Sequence, residues 1–132
     1  MLTEISLQTG VRTELVDITL QIQEAIDQSG VTEGLCHIFS PHTTAGITLN
    51  ENWDPAVRQD LVTALNSLVP AAGPYQHAEG NSPAHIKAML TGFSATCPVR
   101  DGRLVLGTWQ GIYLAEWDGP RQRHLYVTIQ PI

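Results

Sequence analysis

Three histidines of the chain lie where the sequence predicts breaks between secondary-structure elements, and their side chains could do acid–base or metal chemistry. His42 follows a proline between two strand-like segments, His77 lies in an irregular stretch, and His85 comes just after Ser82-Pro83 at a predicted helix start. Functional groups collect at such element ends. A single histidine in such a place is usually structural, but these three have polar neighbours that could form a site with them.

One use of these side chains would be to hold a metal ion. Three neutral imidazoles can bind Zn²⁺ or a similar ion and leave one position open for water or substrate. Each ring would then need its second nitrogen anchored by a carboxylate, an amide or a carbonyl group. The candidates for that supporting role are Glu51, Asp54, Glu79 and Asn81. The histidines form no local motif, so the hypothesis requires the fold to bring them together, within one chain or across a subunit boundary.

A metal-free site would use the same residues. One histidine would act as general acid or base, and the helix that begins near Ser82 could hold an anion at its N-terminus. Lys87, the only lysine, could pair with such an anion, although a solvated surface lysine is the simpler interpretation. The chain contains no GxSxG, GxxxxGK[ST] or GxGxxG sequence, so we expect no nucleotide cofactor.

Charge and length limit the partners of the chain. Its 132 residues include 7 basic and 13 acidic ones, for a net charge of −6. Nucleic acids and anionic membranes are bound mainly through clustered lysine and arginine, so we expect neither as a partner. Arg121 and Arg123 are expected to be solvated at a turn. The N-terminus resembles no secretory signal and no apolar run approaches about 20 residues, which predicts a cytoplasmic protein.

Hydrophobic periodicity predicts one domain over residues 1–132, of the α+β class. Helices are expected at 18–29, from 55 down to Pro70, and at 83–90. Strands are expected at 2–8, 13–16, 34–40, 44–49, 93–100, 103–107, 112–117 and 125–130. The final run of strands, joined first by an Asp101-Gly102 turn, predicts a mixed, largely antiparallel sheet with two to three helices. Cys36 and Cys97 fall in strands, where they could form a bridge or remain buried free thiols.

Three segments of the chain together resemble the YjbQ-like family, whose members are often called secondary thiamine-phosphate synthases or simply uncharacterised proteins. The segments are PHTTAGITLNENWDPAVRQDL, YQHAEGNSPAHIKAMLTG and PVRDGRLVLGTWQGIYLAEWDGPRQR, and the similarity covers nearly the whole chain. The resemblance implies a small α+β fold, a homotrimer and a site of shared polar residues between subunits. The low content of charged residues, 15%, agrees with apolar surface being hidden between subunits.

The resemblance also implies roles for individual residues. The residues that match the family's shared polar positions are His42, Thr43, Asn50, Glu51, Asp54, His77, Asn81, His85, Gly107, Trp109, Gln110 and Glu116. The expected catalytic residues are His42, Glu51, His77 and His85. The expected cofactor-binding residues are Asn81, Trp109 and Gln110, although Gln110 could instead satisfy backbone groups. The expected metal ligands are His42, His77 and His85, for a divalent ion such as Zn²⁺ or Mg²⁺. The loop before His85 is a few residues shorter than in many relatives, which affects the match of Glu79 and Asn81.

The activity implied by the resemblance joins a pyrimidine diphosphate to a thiazole phosphate and releases pyrophosphate. Efficient enzymes for such steps neutralise several phosphate charges with metal ions, arginines and helix N-termini. With 7 basic residues and no phosphate loop, the chain is expected to have weak or incidental synthase activity on a small phosphorylated substrate. Two alternatives remain, a metal-assisted hydrolase or isomerase of a small substrate and a non-catalytic oligomer that binds a small ligand.

Overall fold

The computed structural model describes residues 2–132, which form eight strands and three helices. The strands are β1 (Leu2–Gln8), β2 (Glu14–Asp17), β3 (Gly34–Phe39), β4 (Ala45–Glu51), β5 (Ser94–Arg100), β6 (Arg103–Leu104), β7 (Gln110–Glu116) and β8 (Gln122–Pro131). The helices are α1 (Thr19–Ser29), α2 (Pro55–Leu68) and α3 (Ser82–Thr91). The strand pairs are antiparallel. The predicted α+β class is therefore confirmed.

The strands are divided between two sheets, with orders β1-β8-β3-β5-β6 and β2-β7-β4. The main core lies between these sheets and includes the buried face of α1. Strands β3, β5 and β8 contribute to it because their alternate residues point inward. A second core lies between the other face of the three-stranded sheet and helices α2 and α3. Strand β7 is buried on both faces, with Leu114 in the first core and Tyr113 in the second. The outer face of the five-stranded sheet is exposed.

Local signals explain where the helices begin and end. In α1 the buried residues Ile22, Ala25 and Ile26 recur at helical spacing, and Gly30 ends the helix in the left-handed conformation with φ of 72°. In α2 the Asp54 side chain accepts the Ala56 N–H, which caps the helix. In α2 the buried residue is Val62, while Leu68 near the C-terminal end is exposed. None of the helices within residues 2–132 is long and apolar enough to cross a membrane.

Strand register fixes two long-range relations that the sequence leaves open. Cys36 on β3 lies directly opposite Cys97 on β5, and both are buried free thiols. On the β4–β7 pair, Ala45 is opposite Glu116 at one end and Glu51 is opposite Gln110 at the other. The second relation determines which of the predicted site residues meet.

Candidate functional site

His42 is held at the point where strand β3 leaves its neighbour β8. Phe39 pairs with Tyr126, and continuing this register would place Pro41 opposite His124. A proline has no N–H to offer the ladder. The His42 ring takes its place, because Nε2 lies 3.0 Å from both the backbone nitrogen and the backbone oxygen of His124. A neutral ring either accepts that N–H or donates to that C=O, so Nδ1 is the nitrogen left to meet a ligand.

His77 and His85 are brought together by the loop that precedes α3. Their ring centroids are 5.5 Å apart, with the planes at 89°. His85 lies in the first half of α3, and His77 Nε2 lies 3.8 Å from a carboxylate oxygen of Glu79. Both rings line the cavity that also receives His42, which has a volume of about 460 Å³. The fold thus places the three histidines around one cavity within a single chain.

The three imidazoles do not form a ready metal site. Within residues 2–132, no group of three or more histidine, cysteine or acidic side chains is arranged to hold an ion. At His42 the backbone of His124 engages Nε2 and leaves Nδ1 for a ligand. The close imidazole pair is His77 and His85, and the described residues contain no preformed centre of three ligands. Metal binding by this chain stays a prediction.

Arg123, which lines the cavity, belongs to a buried ion pair with Glu116. Arg123 is 4% exposed and Glu116 is 0% exposed. Arg123 donates Nε to Glu116 Oε1 at 2.8 Å and Nη2 to Glu116 Oε2, and it also donates Nη2 to Thr44 Oγ1 at 2.8 Å. Burial raises the pKa of Glu116, but hydrogen bonds, that from Arg123 foremost, outweigh it and hold the pKa below its usual value. The expectation that Arg123 is solvated is therefore wrong.

A second acidic residue and its partners lie beside that pair. Asp118 accepts Arg121 Nη2 at 3.0 Å and Asn81 Nδ2 at 2.8 Å. Burial raises the pKa of Asp118, but the hydrogen bond from Asn81 and the charge of Arg121 lower it more. Because Asn81 Nδ2 is held by Asp118, the Asn81 side chain presents Oδ1, which is buried without a hydrogen-bond partner in the described part of the chain. Such a buried acceptor can receive an N–H or O–H from a ligand.

The environment of His42 favours the neutral ring. Burial is the main cause of a lowered pKa at His42, and the positive charge of Arg123 adds to it. The neutral imidazole can exchange a proton through Nδ1 near neutral pH, which is the property required of a general acid or base.

The first turn of helix α3 offers fewer free N–H groups to an anion than expected. Pro83 has no N–H, and the N–H groups of Ala84 and His85 bond to the Asn81 carbonyl.

The remaining predicted site residues, Glu51, Trp109 and Gln110, lie at the far end of the β4–β7 pair and do not line the histidine cavity. Six residues of extended strand separate the two ends, a distance of about 20 Å. Glu51 Oε2 lies 3.3 Å from the Asp54 backbone N–H, and Gln110 Oε1 accepts the Gly107 N–H at 2.8 Å. Gln110 therefore satisfies a backbone group, the alternative that the sequence left open. Within a single chain these three residues lie apart from the histidine cavity, and their place in a site between subunits stays a prediction.

Two exposed tryptophans mark this second polar cluster. Trp53 is 76% exposed and Trp109 is 54% exposed, and their rings meet edge to face with centroids 5.7 Å apart. Adjacent exposed indoles form an apolar patch of the kind that marks an interaction site. The cluster formed by Glu51, Trp53, Trp109 and Gln110 is called the tryptophan cluster below.

Comparison with known proteins agrees with this architecture. The model of the family described as UPF0047 protein YjbQ-like matches residues 3–131. The UPF0047 protein MJ1081 of Methanocaldococcus jannaschii is 52% identical over 129 residues, covering 98% of this chain and 94% of the relative. The UPF0047 protein YugU of Bacillus subtilis is 44% identical over 128 residues, covering 96% and 97%.

Solved structures of similar chains have the same fold. An uncharacterised conserved protein of the yjbq/upf0047 family from Clostridium acetobutylicum superposes with a TM-score of 0.95 at 50% identity, covering 97% of this chain and 99% of that one. A YbjQ-like protein of unknown function from Sulfolobus solfataricus gives a TM-score of 0.95 at 37% identity, covering 100% and 97%. The chain belongs to the UPF0047 (YjbQ-like) family.

Proposed function

We propose that the chain is a cytoplasmic homotrimeric enzyme that binds a small anionic molecule, such as a phosphorylated compound, in the histidine cavity and moves a proton through His42. The observation that supports this is the meeting of three histidines and two arginines, Arg121 and Arg123, around one cavity of about 460 Å³. Imidazoles supply proton transfer near neutral pH, and guanidinium groups are the side chains best suited to bind oxyanions.

The chain's own groups divide the work as follows. Arg121 is half exposed and uses Nε and one Nη2 bond on Asp118, so its remaining N–H groups are free to bind a substrate oxyanion. The bare Oδ1 of Asn81 would accept an N–H or O–H of the same molecule. His42, held by the His124 backbone, would exchange a proton through Nδ1. Arg123 cannot serve as the main anion ligand because Glu116 already neutralises it.

The thiamine-phosphate synthase reaction is the most specific form of this proposal. Pyrimidine diphosphate and thiazole phosphate would be incubated with the protein, and thiamine phosphate measured against heat-killed protein and His85→Ala. We expect a small yield, because both cavity arginines are matched by carboxylates and little positive charge remains for a pyrophosphate leaving group. That yield should fall at least tenfold in His85→Ala, which removes one imidazole from the cavity. A yield equal to the heat-killed control would remove the synthase activity. Phosphate binding at His85, measured separately, would then decide whether the cavity is an anion site at all.

Metal content is tested on the purified protein. If a divalent ion such as Zn²⁺ or Mg²⁺ is the cofactor, about one ion per chain should co-purify and be lost in both His77→Ala and His85→Ala. His37→Ala, an exposed histidine on the outer sheet face, is the matched control. Protein that contains no ion and takes up none from added Zn²⁺ would leave the metal-free acid–base site as the remaining form of the proposal.

The separation of the two clusters supports a trimer with a shared site. For Glu51 to act on a substrate at His85, the tryptophan cluster of one subunit must face the histidine cavity of the next, a head-to-tail contact that can close into a ring. Mixing inactive His85→Ala and Glu51→Gln subunits should then restore about one quarter of the wild-type sites, since one interface in four combines two intact halves. No recovery after subunit exchange would confine the site to one chain and leave Glu51 outside it.

A further inference from the structure

A second cavity lies between α2 and strand β2 and shares no lining residue with the histidine cavity. Its volume is about 400 Å³. Leu15 and Val62 supply an apolar floor, and Thr13, Glu14, Arg58 and Asn66 supply polar groups. This α2 cavity has no part in the function proposed above.

The most unusual group of the α2 cavity is Arg58. Its guanidinium carbon lies 5.2 Å from the centroid of the Tyr113 ring, which covers one side of the cation. Its Nε is buried and has no hydrogen-bond partner among residues 2–132, and no carboxylate of that range lies within 4.0 Å of the guanidinium. The Arg58 side chain also interacts with the Tyr113 hydroxyl, but its Nε–H remains unpaired. Buried polar atoms are nearly always paired, so this N–H indicates a missing acceptor.

A second cation without a counter-ion lies behind the other end of the cavity. Asn66 is two turns after Arg58 on α2, about 12 Å along the helix. Its Oδ1 accepts the Lys87 ammonium and its Nδ2 donates to Thr13. Lys87 is 6% exposed and lies 5.0 Å from the Trp117 ring centroid, so the expectation of a solvated lysine is wrong. Burial, helped by the charge of Arg12, lowers the pKa of Lys87, as for a cation that no carboxylate neutralises.

One carboxylate, Glu14, lines the cavity, and it is already engaged. Its Oε2 accepts the backbone N–H groups of Gly10 at 2.6 Å and Val11 at 2.9 Å. Arg58, which is half-buried, therefore lines a cavity that contains one carboxylate, and the buried Lys87 lies behind Asn66. A buried guanidinium N–H without an acceptor is costly, and an anionic ligand would offset that cost.

We propose that the α2 cavity is a second binding site, specific for the oxyanion group of a small molecule, with Arg58 as its main contact. A carboxylate or phosphate would accept Nε–H and Nη–H of Arg58, and the apolar floor of Leu15 and Val62 would contact the carbon part of the ligand. The Asn66 amide, fixed by Lys87 and Thr13, limits the length of the ligand at the far end. The site is independent of the reaction in the histidine cavity.

The test is an NMR titration of ¹⁵N-labelled full-length protein with sodium phosphate, at constant ionic strength set by sodium chloride. We expect saturable shifts of the Val62 and Asn66 amides, with an affinity at least tenfold weaker in Arg58→Gln. Arg58→Lys, which keeps the charge but lacks Nε–H, should be intermediate, and Arg103→Gln, which removes an exposed arginine, should match the wild type. Shifts of the Thr44 amide report the histidine cavity separately.

Two results would overturn the proposal. One is the absence of saturable shifts on α2 in wild-type protein, whatever happens at Thr44. The other is an Arg58→Gln protein, folded by circular dichroism, whose α2 shifts saturate at the same phosphate concentration as those of the wild type. Shifts on α2 that disappear equally in Arg103→Gln would show general screening and would also count against the site.

Discussion

Replacing Glu116 by glutamine (E116Q) should destabilise the protein by about 3–5 kcal/mol, the usual cost of breaking a buried ion pair on one side. Glu116 Oε1 accepts Thr9 Oγ1 and Arg123 Nε, and Oε2 accepts the Asp118 N–H and Arg123 Nη2. Both oxygens therefore face donors, so the glutamine NH₂ would oppose another N–H wherever it is placed. Arg123 would also remain as a buried cation without its counter-ion.

Urea unfolding followed by circular dichroism, at one fixed subunit concentration, measures this loss. In thermal unfolding, each kcal/mol lowers the Tm of a chain of this length by about 3–5 °C. The Tm of E116Q should therefore be about 10–20 °C below that of the wild type. Glu33→Gln, at an exposed glutamate, should change stability by less than about 0.5 kcal/mol. Removing both partners, in Glu116→Leu with Arg123→Met, should cost less than E116Q alone. An E116Q protein within about 1 kcal/mol of wild type would refute the assignment of an unpaired buried charge.

The pH dependence of the same difference has a defined sign. The folded pKa of Glu116 is lowered relative to the unfolded chain. Its contribution is therefore present above the unfolded pKa, about 4.3, and is lost as pH falls through the folded value. The gap between wild type and E116Q should be constant from pH 6 to 8 and narrow in acid. A gap that widened below pH 4 would contradict the sign of the pKa shift.

Three further outcomes test other parts of the structure. His42 should titrate below 6.5 by NMR, so protonation of the unfolded chain should reduce stability as pH falls below about 6.5; a pKa at or above 6.5 would contradict its burial. Gly46→Ala should lower the free energy of unfolding, measured in urea, by about 2 kcal/mol or more, because the added methyl group would overlap a backbone carbonyl at the end of α3. Gly10→Ala should be nearly neutral, because its methyl group would meet only one side-chain oxygen, at 3.6 Å. Cys36 and Cys97 should react with a thiol reagent only after denaturation, since burial raises both pKa values, that of Cys36 to about 12; rapid labelling of native protein would show that the strands open.

Local features of the fold could be predicted from sequence because their causes are local. The helical spacing of Ile22 and Ile26 and the glycine at position 30 are enough to define α1. The Asp101-Gly102 turn could be predicted because aspartate and glycine tolerate the positive φ that such a turn requires. In the structure their φ angles are 53° and 72°. In each case the residues that stabilise the element are within a few positions of it.

Long-range packing accounts for the predictions that were wrong. Lys87 is buried because Asn66 and Trp117, on other elements, surround its side chain. Arg123 shares the inward face of β8 with Leu125 and Val127, and this alternation was the available signal that it is not a surface residue. The signal is ambiguous in the sequence, since only the position of the buried Glu116 makes an arginine acceptable on that face.

The candidate site could be predicted only in part for the same reason. The sequence predicts that the three histidines lie at the ends of secondary-structure elements. The distance between His42 and His85, however, depends on how α3 packs against the β3–β4 connection. The separation of Glu51 from both follows from the register of β4 on β7, which no local pattern determines. Family resemblance groups all of these residues as one set, because shared positions contain no information on which residues lie in the same chain at the same site.

The buried ion pair connects the stability of the fold to the chemistry of the cavity. Arg123 donates to Thr44, which begins the turn into β4 directly after His42 and Thr43, so the pair fixes the segment that supports the imidazole. The same guanidinium charge lowers the pKa of His42, while Glu116 opposes that effect. A hydrophobic pair of equal volume would avoid the cost of desolvating two charges but could not donate a hydrogen bond to Thr44. The retention of two charges at a nearly inaccessible position is therefore better explained by the needs of the cavity than by those of folding.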